Sequence, residues 1–381
     1  MRSLPSSFTR YRLLSVVTLL LSLALSAHAH SQNQNQSQPA QIIDLRGRTV
    51  VLDRPVKRIA IDDGRFLVAL SLIHEHPVDV LAAWPQDINR VGEHTHAQLL
   101  EKYPQLKDVP RIPSSAQPFN VEAVLSAAPD VAVVSAGSGP TDAQVAQLES
   151  GGIKVIFIDF FTSPFENLEP SLRILGQLTG AQAKAEEFIA FRHEHMQRIA
   201  ERVSTLAPEQ RPTVFLEAHA GMTSDCCNAP GRGNIGDYIE FVGGHNIGAD
   251  AINQAFGRLS LEYVMSRDPD IYIATGGPHL ERAGGLVLGP GYTDRQIQDS
   301  LQKIAGRTGI AFLSAVSSGR THGYSHQLIN SPVDIVVIEV FAKWVHPELF
   351  EDVDPEQTLQ ELNDRFLQVP YHGTFWTSLE K

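Results

Sequence analysis

The segment from Val121 to Gly137, VEAVLSAAPDVAVVSAG, aligns without a gap with the segment from Leu261 to Gly277, LEYVMSRDPDIYIATGG. In both copies a short amphipathic helical pattern runs into Pro-Asp, which ends a helix, and then into a run rich in Val and Ile. Such a run, bounded by Gly, is typical of a buried strand in a parallel sheet. The sequence therefore contains two versions of one helix-to-strand unit, displaced by 140 residues.

Further short apolar runs lie between helical stretches in both halves. They comprise residues 58–62, 78–84 and 154–159 before the middle of the chain and 213–218 after it. This alternation predicts an α/β fold, with two similar three-layer lobes built on mostly parallel sheets. The stretch 163–208, rich in Ala, Glu, Gln and Arg, is predicted to be one long backbone helix that joins the lobes. A ligand cleft is then expected where the strands of both lobes end.

The amino terminus has the pattern of a cleavable signal peptide. Arg2, Arg10 and Arg12 precede an apolar run at 13–25, and the small-x-small site at 27–29 suits a signal peptidase. The predicted domains are a signal peptide at 1–29, a flexible polar leader at 30–41, a first lobe at 42–162, the linking helix at 163–208 and a second lobe at 209–381. No cysteine lies near the cleavage site to carry a lipid anchor, so a periplasmic location is expected.

Composition and motifs argue against several classes of function. The net charge of −12 disfavours a nucleic-acid partner, and 43% apolar residues suit two folded domains of ordinary size. A Gly-x-Gly-x-x-Gly pattern at 231–236 comes too long after the strand ending at Ala218 to form a dinucleotide-binding turn. The sequence has no Gly-x-Ser-x-Gly elbow, His-Glu-x-x-His helix or phosphate-binding Gly-Lys-Ser/Thr. An enzyme is therefore not expected.

Four segments carry a resemblance to a known family. They are DLRGRTVVLDRPVKRIA at 44–60, the two Pro-Asp copies, GDYIEFVGGHNI at 236–247 and FAKWVHPELF at 341–350. In this order they resemble the periplasmic binding proteins that serve ABC importers for ferric siderophores, cobalamin and haem. The resemblance implies two lobes with little hinge motion and an inner-membrane permease as partner. It also implies one permease-docking glutamate per lobe, Glu101 and Glu240 here, and we expect a monomer.

The same resemblance implies a cargo that is bulky, partly apolar and often anionic. Such a cargo needs aromatic surface together with Arg or His donors. The predicted ligand contacts are residues of these types in loops after strands, namely Arg65, Trp84, Arg90, Arg232, His279, His322, Tyr324 and His326. Arg65 is expected at a helix start, where backbone N–H groups also favour an anion, and its alternative is a surface pair with Asp62 or Asp63. The alternative for the histidines is a bare metal site of His279, His322 and His326.

Cys226 and Cys227 are adjacent, in the loop expected after the strand at 213–218. Exposed free thiols seldom persist in an oxidising compartment. A vicinal disulfide is therefore our hypothesis, with unreacted thiols and metal ligation as the alternatives.

Together these observations predict a solute-binding component for iron transport that captures a metal chelate, in first place a ferric siderophore or ferric citrate. No permanently bound cofactor is expected. Cobalamin, haem, an oxyanion such as molybdate and a bare divalent ion stay open as ligands of the same fold. An exported enzyme that uses the cleft is the remaining alternative, and saturable binding without turnover would argue against it.

Overall fold

The first lobe is built on a sheet of four parallel strands. A computed structural model describes residues 40–223 and 226–380, and from Gln41 onward the chain forms one compact unit. A ribbon of β1 (Ala40–Ile43) and β2 (Thr49–Leu52) precedes the sheet strands β3 (Ile59–Ile61), β4 (Leu81–Ala83), β5 (Val131–Ser135) and β6 (Lys154–Ile158). Their order is β4-β3-β5-β6. The helices are α1 (Gly64–Ile73), α2 (Ile88–Val91), α3 (Glu93–Lys102), α4 (Val121–Ala127) and α5 (Asp142–Ser150), with a 3-10 helix at Pro104–Asp108.

Two helices, and not one, connect the lobes. α6 (Pro164–Thr179) ends at Gly180, which has a left-handed backbone conformation (φ 75°). Glycine is the residue most often found in this conformation at the end of a helix. α7 (Gln182–Val203) follows, so the prediction of a single helix over 163–208 is corrected by this break. α7 alone has 22 residues, and at 1.5 Å per residue it is about 33 Å long. It is therefore the long backbone helix of the fold.

The second lobe has a five-stranded sheet in the order β13-β12-β11-β7-β9. Four strands run parallel, namely β7 (Thr213–Glu217), β9 (His245–Asn246), β11 (Ile271–Gly276) and β12 (Thr321–Ser325), and β13 (Trp376–Ser378) is antiparallel at the edge. β8 (Asn228–Pro230) and β10 (Phe256–Arg258) form a separate antiparallel pair. The helices are α8 (Ile235–Phe241), α9 (Leu261–Arg267), α10 (Asp294–Ala305), α11 (Ser314–Ser318), α12 (Ile335–Val345) and α13 (Pro355–Arg365). Further 3-10 helices are Pro208–Gln210, Pro278–Ala283, Ile310–Phe312, His326–Leu328 and Pro332–Asp334.

The repeated sequence adopts the same local structure twice. α4 and α9 each have 7 residues, and their N-cap residues Asn120 and Ser260 both accept a hydrogen bond from the backbone N–H three residues later. Both helices end at a residue with a positive φ, which is 46° at Ala128 and 39° at Asp268. The chain then enters β5 or β11, which are interior strands of their sheets. The prediction of a duplicated helix-to-strand unit is confirmed.

A buried polar network holds α7 to the second lobe. The Arg192 guanidinium donates to both carboxylate oxygens of Asp334 at 3.2 Å, and the Tyr238 hydroxyl donates to Asp334 at 2.7 Å. One turn further along α7, His195 Nδ1 lies 2.6 Å from the Glu339 carboxylate. Breaking a buried pair of this kind costs about 3–5 kcal/mol. α7 also packs against α1 of the first lobe. The helix is therefore attached to both lobes, to the second by this network and to the first by packing.

The start of the folded chain differs slightly from the prediction. β1 begins at Ala40, so Ala40 and Gln41 belong to a strand and not to the predicted flexible leader. The predicted signal peptide and the rest of the leader lie outside the described residues. Within 40–223 and 226–380, no helix combines the length and the apolar character needed to cross a membrane. The predicted α/β class with two mostly parallel sheets is confirmed.

Candidate ligand-binding cleft

Loops that follow strands of both lobes meet at one cleft. Phe161 and Thr162 follow β6 of the first lobe, and the Thr162 carbonyl accepts a hydrogen bond from Asn234 N of the second lobe at 3.1 Å. The Phe161 ring stacks on Phe256 with 5.9 Å between ring centroids. Asn330, which follows β12, lines the same cavity as Phe161. Because α/β proteins bind ligands at the carboxyl ends of parallel strands, this cleft is the candidate site.

The first-lobe side of the cleft is organised by Asp63, the N-cap residue of α1, which is 2% exposed. Its carboxylate accepts hydrogen bonds from Arg65 Nε at 2.9 Å and Nη2 at 2.6 Å, from Arg90 Nη1, and from Ser115 Oγ at 3.2 Å. We call Asp63, Arg65, Arg90 and Ser115 the arginine wall. Burial acts to raise the pKa of Asp63, but the charges and hydrogen bonds of the two arginines outweigh it and lower the pKa to about 2.

Asp63 occupies only part of each guanidinium group. Arg65 uses Nε and Nη2 on Asp63, whereas Arg90 uses Nη1 on Asp63 and Ser115 and has Nε 3.3 Å from Asp87. A guanidinium has five N–H donors, so both arginines keep donors that a ligand can use. Arg65 pairs with Asp63, which agrees with the alternative, and it also lines the cavity. Its role as a ligand contact stays a prediction.

The cavity beside the arginine wall has a volume of about 300 Å³. Asp159 fixes its aromatic edge, because the carboxylate accepts hydrogen bonds from the backbone N–H groups of Phe161 and Thr162 at 2.9 Å each. Phe161 is 41% exposed, and its ring centroid lies 5.8 Å from the Arg65 guanidinium carbon. The remaining lining residues are Phe66, Ser135, Gly137, Ser138, Ile158, Phe160 and Asn330. The cavity thus combines cationic donors with an apolar face.

Asp62 is a second buried carboxyl group behind this wall, and it is 1% exposed. It accepts hydrogen bonds from Ser135 N at 3.0 Å and from Ser135 Oγ at 2.9 Å. Burial raises the pKa of Asp62 to about 7, with a further increase from the Asp63 charge and a partial decrease from the Ser135 hydrogen bonds. The protonation of Asp62 therefore changes near neutral pH.

Three histidines lie close together at the carboxyl ends of second-lobe strands. His219, His279 and His326 follow β7, β11 and β12 respectively, and these strands are neighbours in the sheet. His219 Nδ1 lies 2.9 Å from His279 Nε2, and the ring centroids of His219 and His326 are 4.0 Å apart. His326 Nδ1 lies 3.3 Å from Thr275 Oγ1. We call His219, His279 and His326 the histidine cluster.

All three imidazoles have lowered pKa values. Burial lowers the pKa of His219 to about 4, with a contribution from His279, and burial also lowers the pKa of His279. Burial lowers the pKa of His326 well below its usual value, and the charges of Arg65 and Arg90 add to the decrease. The charges of the arginine wall therefore act on His326 in the second lobe. A lowered pKa favours the neutral imidazole, which offers one N–H donor and one nitrogen lone pair.

Trp84 does not form the predicted apolar surface of the cleft. Its side chain is 1% exposed and stacks on His96, with 5.7 Å between ring centroids. Its backbone extends the first-lobe sheet by a parallel bridge to Arg111. The aromatic residue of the cavity is Phe161 instead, and the prediction for Trp84 is corrected.

His322 and Tyr324 lie in β12 and not in the predicted loop. His322 Nδ1 is 2.8 Å from Ser378 Oγ, and the His322 ring stacks on Trp344. The Tyr324 side chain is 0% exposed and packs against Phe341. Both predicted contacts are therefore corrected, because neither side chain is accessible to a ligand in this structure. Among residues 40–223 and 226–380, no three His, Cys, Asp or Glu side chains are arranged to hold a bare metal ion, so the predicted site of His279, His322 and His326 is not formed.

Arg232 and the two glutamates lie elsewhere. Arg232 is exposed and lines a surface depression with Asp237, Glu240 and His245, so it is not part of the cavity lining. Glu240 also accepts a hydrogen bond from Asn246 N at 2.9 Å. Glu101 is exposed on α3. Permease docking by Glu101 and Glu240 stays a prediction.

The structure contains the hypothesised disulfide between Cys226 and Cys227, with a cis peptide bond between the two residues. The Cys227 side chain is 0% exposed and belongs to the apolar core of the second lobe. The carbonyl of Cys226 accepts a hydrogen bond from Arg258 Nη2 at 3.0 Å. The disulfide therefore lies at the base of the loop that begins with His219.

Sequence reasoning missed His219, Phe161 and Ser115. His219 directly follows the strand pattern that ends at Ala218, so the rule that selected His279 would also have selected it. Phe161 likewise comes shortly after the run at 154–159. Ser115 carries no sequence signal, because only the folded chain places it beside Asp63 and Arg90.

A family model described as periplasmic binding protein matches residues 70–324. The chain belongs to this family of solute-binding proteins, and the resemblance stated from the sequence is confirmed.

Among its relatives, the cobalamin-binding protein of Halobacterium salinarum is 33% identical over 181 residues, which are 46% of this chain and 47% of that protein. The chain thus spans about half the length of that relative. The vitamin B12-binding protein of Salmonella typhi is 27% identical over 209 residues, covering 52% of this chain and 70% of that protein. The solved structure of the TroA-like periplasmic binding protein FepB from Veillonella parvula superimposes with a TM-score of 0.79 at 26% identity, covering 90% of this chain and 100% of that one.

Proposed function

We propose that this protein is the solute-binding component of an ABC importer and captures a metal chelate, in first place a ferric siderophore or ferric citrate. The observation that carries the proposal is the arginine wall in the lining of a cavity of about 300 Å³ that also contains the exposed ring of Phe161. Guanidinium groups bind the anionic oxygens of a chelator in a bidentate manner. Phe161 offers an apolar face for the organic part of the same molecule.

Cobalamin is the second candidate, and the names of the relatives at 33% and 27% identity favour it. Its single phosphate and its many neutral amides make less use of two guanidinium groups than a polyanionic chelate does. For this reason the arginine wall favours the ferric chelate.

The proposal includes delivery to an inner-membrane permease, an extracytoplasmic location and a monomeric state. Glu101 on α3 and Glu240 on α8 are the proposed permease contacts, one in each lobe. The exposure of Glu101 and the partial exposure of Glu240 support this role.

The first experiment is a thermal-shift screen of the protein against ferric siderophores, ferric citrate, haem, cobalamin, molybdate and free divalent ions. A ligand that binds only the folded state raises the melting temperature, by an amount that grows with its concentration. We expect a rise with one class of ferric chelate. A rise with cobalamin alone would favour the second candidate, and stabilisation by free ions alone would contradict both.

A charge-conserving variant tests the arginine wall directly. Arg65→Lys keeps a cation beside Asp63 but removes the planar fork, so we expect about tenfold weaker binding of the ferric chelate that gave the shift. Arg295→Lys is the matched control, because the Arg295 side chain is 90% exposed on α10. Equal affinities of the two variants would remove the arginine wall from the proposed site.

A further inference from the structure

Two asparagines meet where the lobes touch beside the cavity. Asn234 is the N-cap residue of α8 and is 0% exposed, and Asn330 follows β12 and is 2% exposed. Both have a positive φ, which is 51° at Asn234 and 60° at Asn330. Side chains other than Gly seldom adopt this backbone conformation, although Asn tolerates it better than most, and residues held in it cluster at ligand sites. The pair is therefore a candidate for a role in the cavity.

Hydrogen bonds fix the direction in which the Asn234 amide points. Its Nδ2 group donates to the Phe161 carbonyl of the first lobe and, at 2.8 Å, to Asn330 Oδ1. Because a carbonyl oxygen can only accept, the nitrogen of the Asn234 amide, and not its oxygen, has to face Phe161. The backbone N–H of Asn234 also donates to the Thr162 carbonyl at 3.1 Å. Asn234 therefore attaches the second lobe to the first-lobe loop that carries Phe161.

The orientation of the Asn330 amide follows from that of Asn234. Because Asn330 Oδ1 accepts from Asn234 Nδ2, the two N–H donors of Asn330 Nδ2 lie on the other branch of the amide. Within residues 40–223 and 226–380 these donors have no hydrogen-bond acceptor, and Asn330 lines the cavity together with the arginine wall. The other lining residues belong to the first lobe. Asn330 therefore brings donors from the second lobe that are available to a ligand in this cavity.

We propose that Asn330 Nδ2 donates a hydrogen bond to an anionic oxygen of the cargo, and that Asn234 holds the Asn330 amide in the donating orientation. This inference rests on the proposed function. The arginine wall binds oxygens of the same chelator from the first lobe, so the cargo connects the two lobes through its own oxygens. Asn330 is then a ligand contact, and Asn234 is a positioning residue.

This arrangement selects for the charge of the ligand. The Asn330 amide is uncharged, so it adds donors to the cavity without adding a third cation to Arg65 and Arg90. A hydrogen bond to a charged oxygen is roughly twice as strong as one to a neutral oxygen. The cargo that gains most is a chelate with anionic oxygens for both lobes, such as the carboxylates of ferric citrate or the oxygens of a ferric catecholate.

The test replaces the amide of Asn330 in two ways. Asn330→Gly suits the positive φ and removes the donors, whereas Asn330→Asp keeps an oxygen for Asn234 Nδ2 and replaces the donors by a carboxylate. Affinities for ferric citrate and for a ferric tris-catecholate are measured by isothermal titration calorimetry. For the chelate that the wild type binds, we expect about tenfold weaker binding by Asn330→Gly. Binding by Asn330→Asp should be about a hundredfold weaker, because the carboxylate also repels the anion.

Asn253→Asp is the matched control, because it introduces the same charge at an exposed position outside the cavity lining. Its affinity should equal that of the wild type. Melting temperatures identify any variant that is merely unfolded. Asn330→Gly relieves the backbone and Asn330→Asp preserves the hydrogen bond from Asn234, so the two variants do not share one cause of misfolding and the test stays decisive.

Asn234→Asp tests the positioning role. A carboxylate at this position cannot donate to Asn330 Oδ1, so the Asn330 amide turns, its Nδ2 donates to the new carboxylate and its oxygen faces the ligand. We expect about tenfold weaker binding from this change alone, and no further loss when Asn330→Gly is added, because both changes act through the same hydrogen bond. Losses that add up in the double variant would overturn the positioning role of Asn234.

The outcomes separate this inference from the proposed function. If the wild type binds a ferric chelate, and Asn330→Gly and Asn330→Asp bind it as tightly as Asn253→Asp does, the contact at Asn330 is overturned and chelate capture stands. If neither ferric chelate nor any other in the thermal-shift screen binds the wild type, the proposed function is overturned, and this inference with it.

Discussion

The arginine wall of the first lobe and the histidine cluster of the second lobe hold their polar groups in different ways. In the arginine wall, Asp63 is bound by both guanidinium groups, so the charges compensate one another inside the protein. In the histidine cluster burial lowers the pKa values and so favours neutral rings. The rings are held by one ring-to-ring hydrogen bond and by Thr275. A buried charge requires a partner, whereas a neutral imidazole requires only a hydrogen bond. The arginine wall is therefore a set of charges that compensate one another, and the histidine cluster keeps nitrogen lone pairs that are available to a ligand.

The largest effect is expected when the charge pairing within the arginine wall is broken. Asp63→Asn keeps an N-cap acceptor for α1 but leaves Arg65 and Arg90 without their shared partner, so we expect the free energy of unfolding to fall by about 3 kcal/mol. Urea denaturation measures this. Asp299→Asn is the control, since its side chain is 74% exposed and its cost should stay under about 0.5 kcal/mol. Similar costs for both variants would mean that charge pairing does not hold the wall.

The second effect concerns Asp62, the buried carboxyl group next to the arginine wall. The pKa of Asp62 is raised from 3.8 to about 7 in the folded protein, so the folded state binds more protons between these values and stability falls as pH rises. Asp62→Asn removes this dependence. When the pH rises from 5 to 8, the free energy of unfolding of the variant should therefore increase by about 2 kcal/mol relative to that of the wild type. Urea denaturation at both pH values checks this, and parallel pH profiles would refute the raised pKa.

The histidine side has the opposite dependence on pH. The pKa of His219 is lowered from 6.5 to about 4, so the unfolded state binds more protons in this window and stability is lost as pH falls through it. The His219→Gln variant should lose about 1–2 kcal/mol less of its free energy of unfolding than the wild type as the pH falls. This value is smaller than the full pKa shift implies, because the ring is partly exposed. The free energy of unfolding is measured for the wild type and for the variant at pH 7 and at pH 4.5, and the two values are subtracted at each pH. Because both proteins contain Asp62, its contribution cancels in this difference. A constant difference would contradict the lowered pKa.

The smallest effect is expected at Phe161, the aromatic residue beside the arginine wall. Phe161→Leu removes ring stacking on Phe256 and beside Arg65, so the affinity for a catecholate chelate should fall by about two- to fivefold. Phe312→Leu is the matched control, because Phe312 is 81% exposed outside the cavity lining. Fluorescence titration compares the two variants, and equal affinities would show that Phe161 does not contact the cargo.

The errors of the sequence analysis share a physical cause. Trp84, at the end of the apolar run 78–84, was predicted to begin a loop, but the bridge to Arg111 extends the sheet to this residue, and its ring is buried. The segment Thr-His-Gly-Tyr-Ser at 321–325 has no Val or Ile and contains Gly, which is depleted in strands. It is a strand because β11, β13 and the aromatic residues of α12 enclose it. Tertiary packing overrides local preference in both places.

By itself, the sequence determined two related α/β units and the arginines that follow strands of the first one, because apolar periodicity, helix caps and the repeat are local properties of the chain. Only the tertiary structure decided which histidines meet. His219, His279 and His326 are far apart in sequence, and no spacing relates them. The sheet order β12-β11-β7 brings their three strand ends to one edge, and it leaves His322 within β12, facing Trp344. Strand order depends on long-range pairing, which no local pattern encodes.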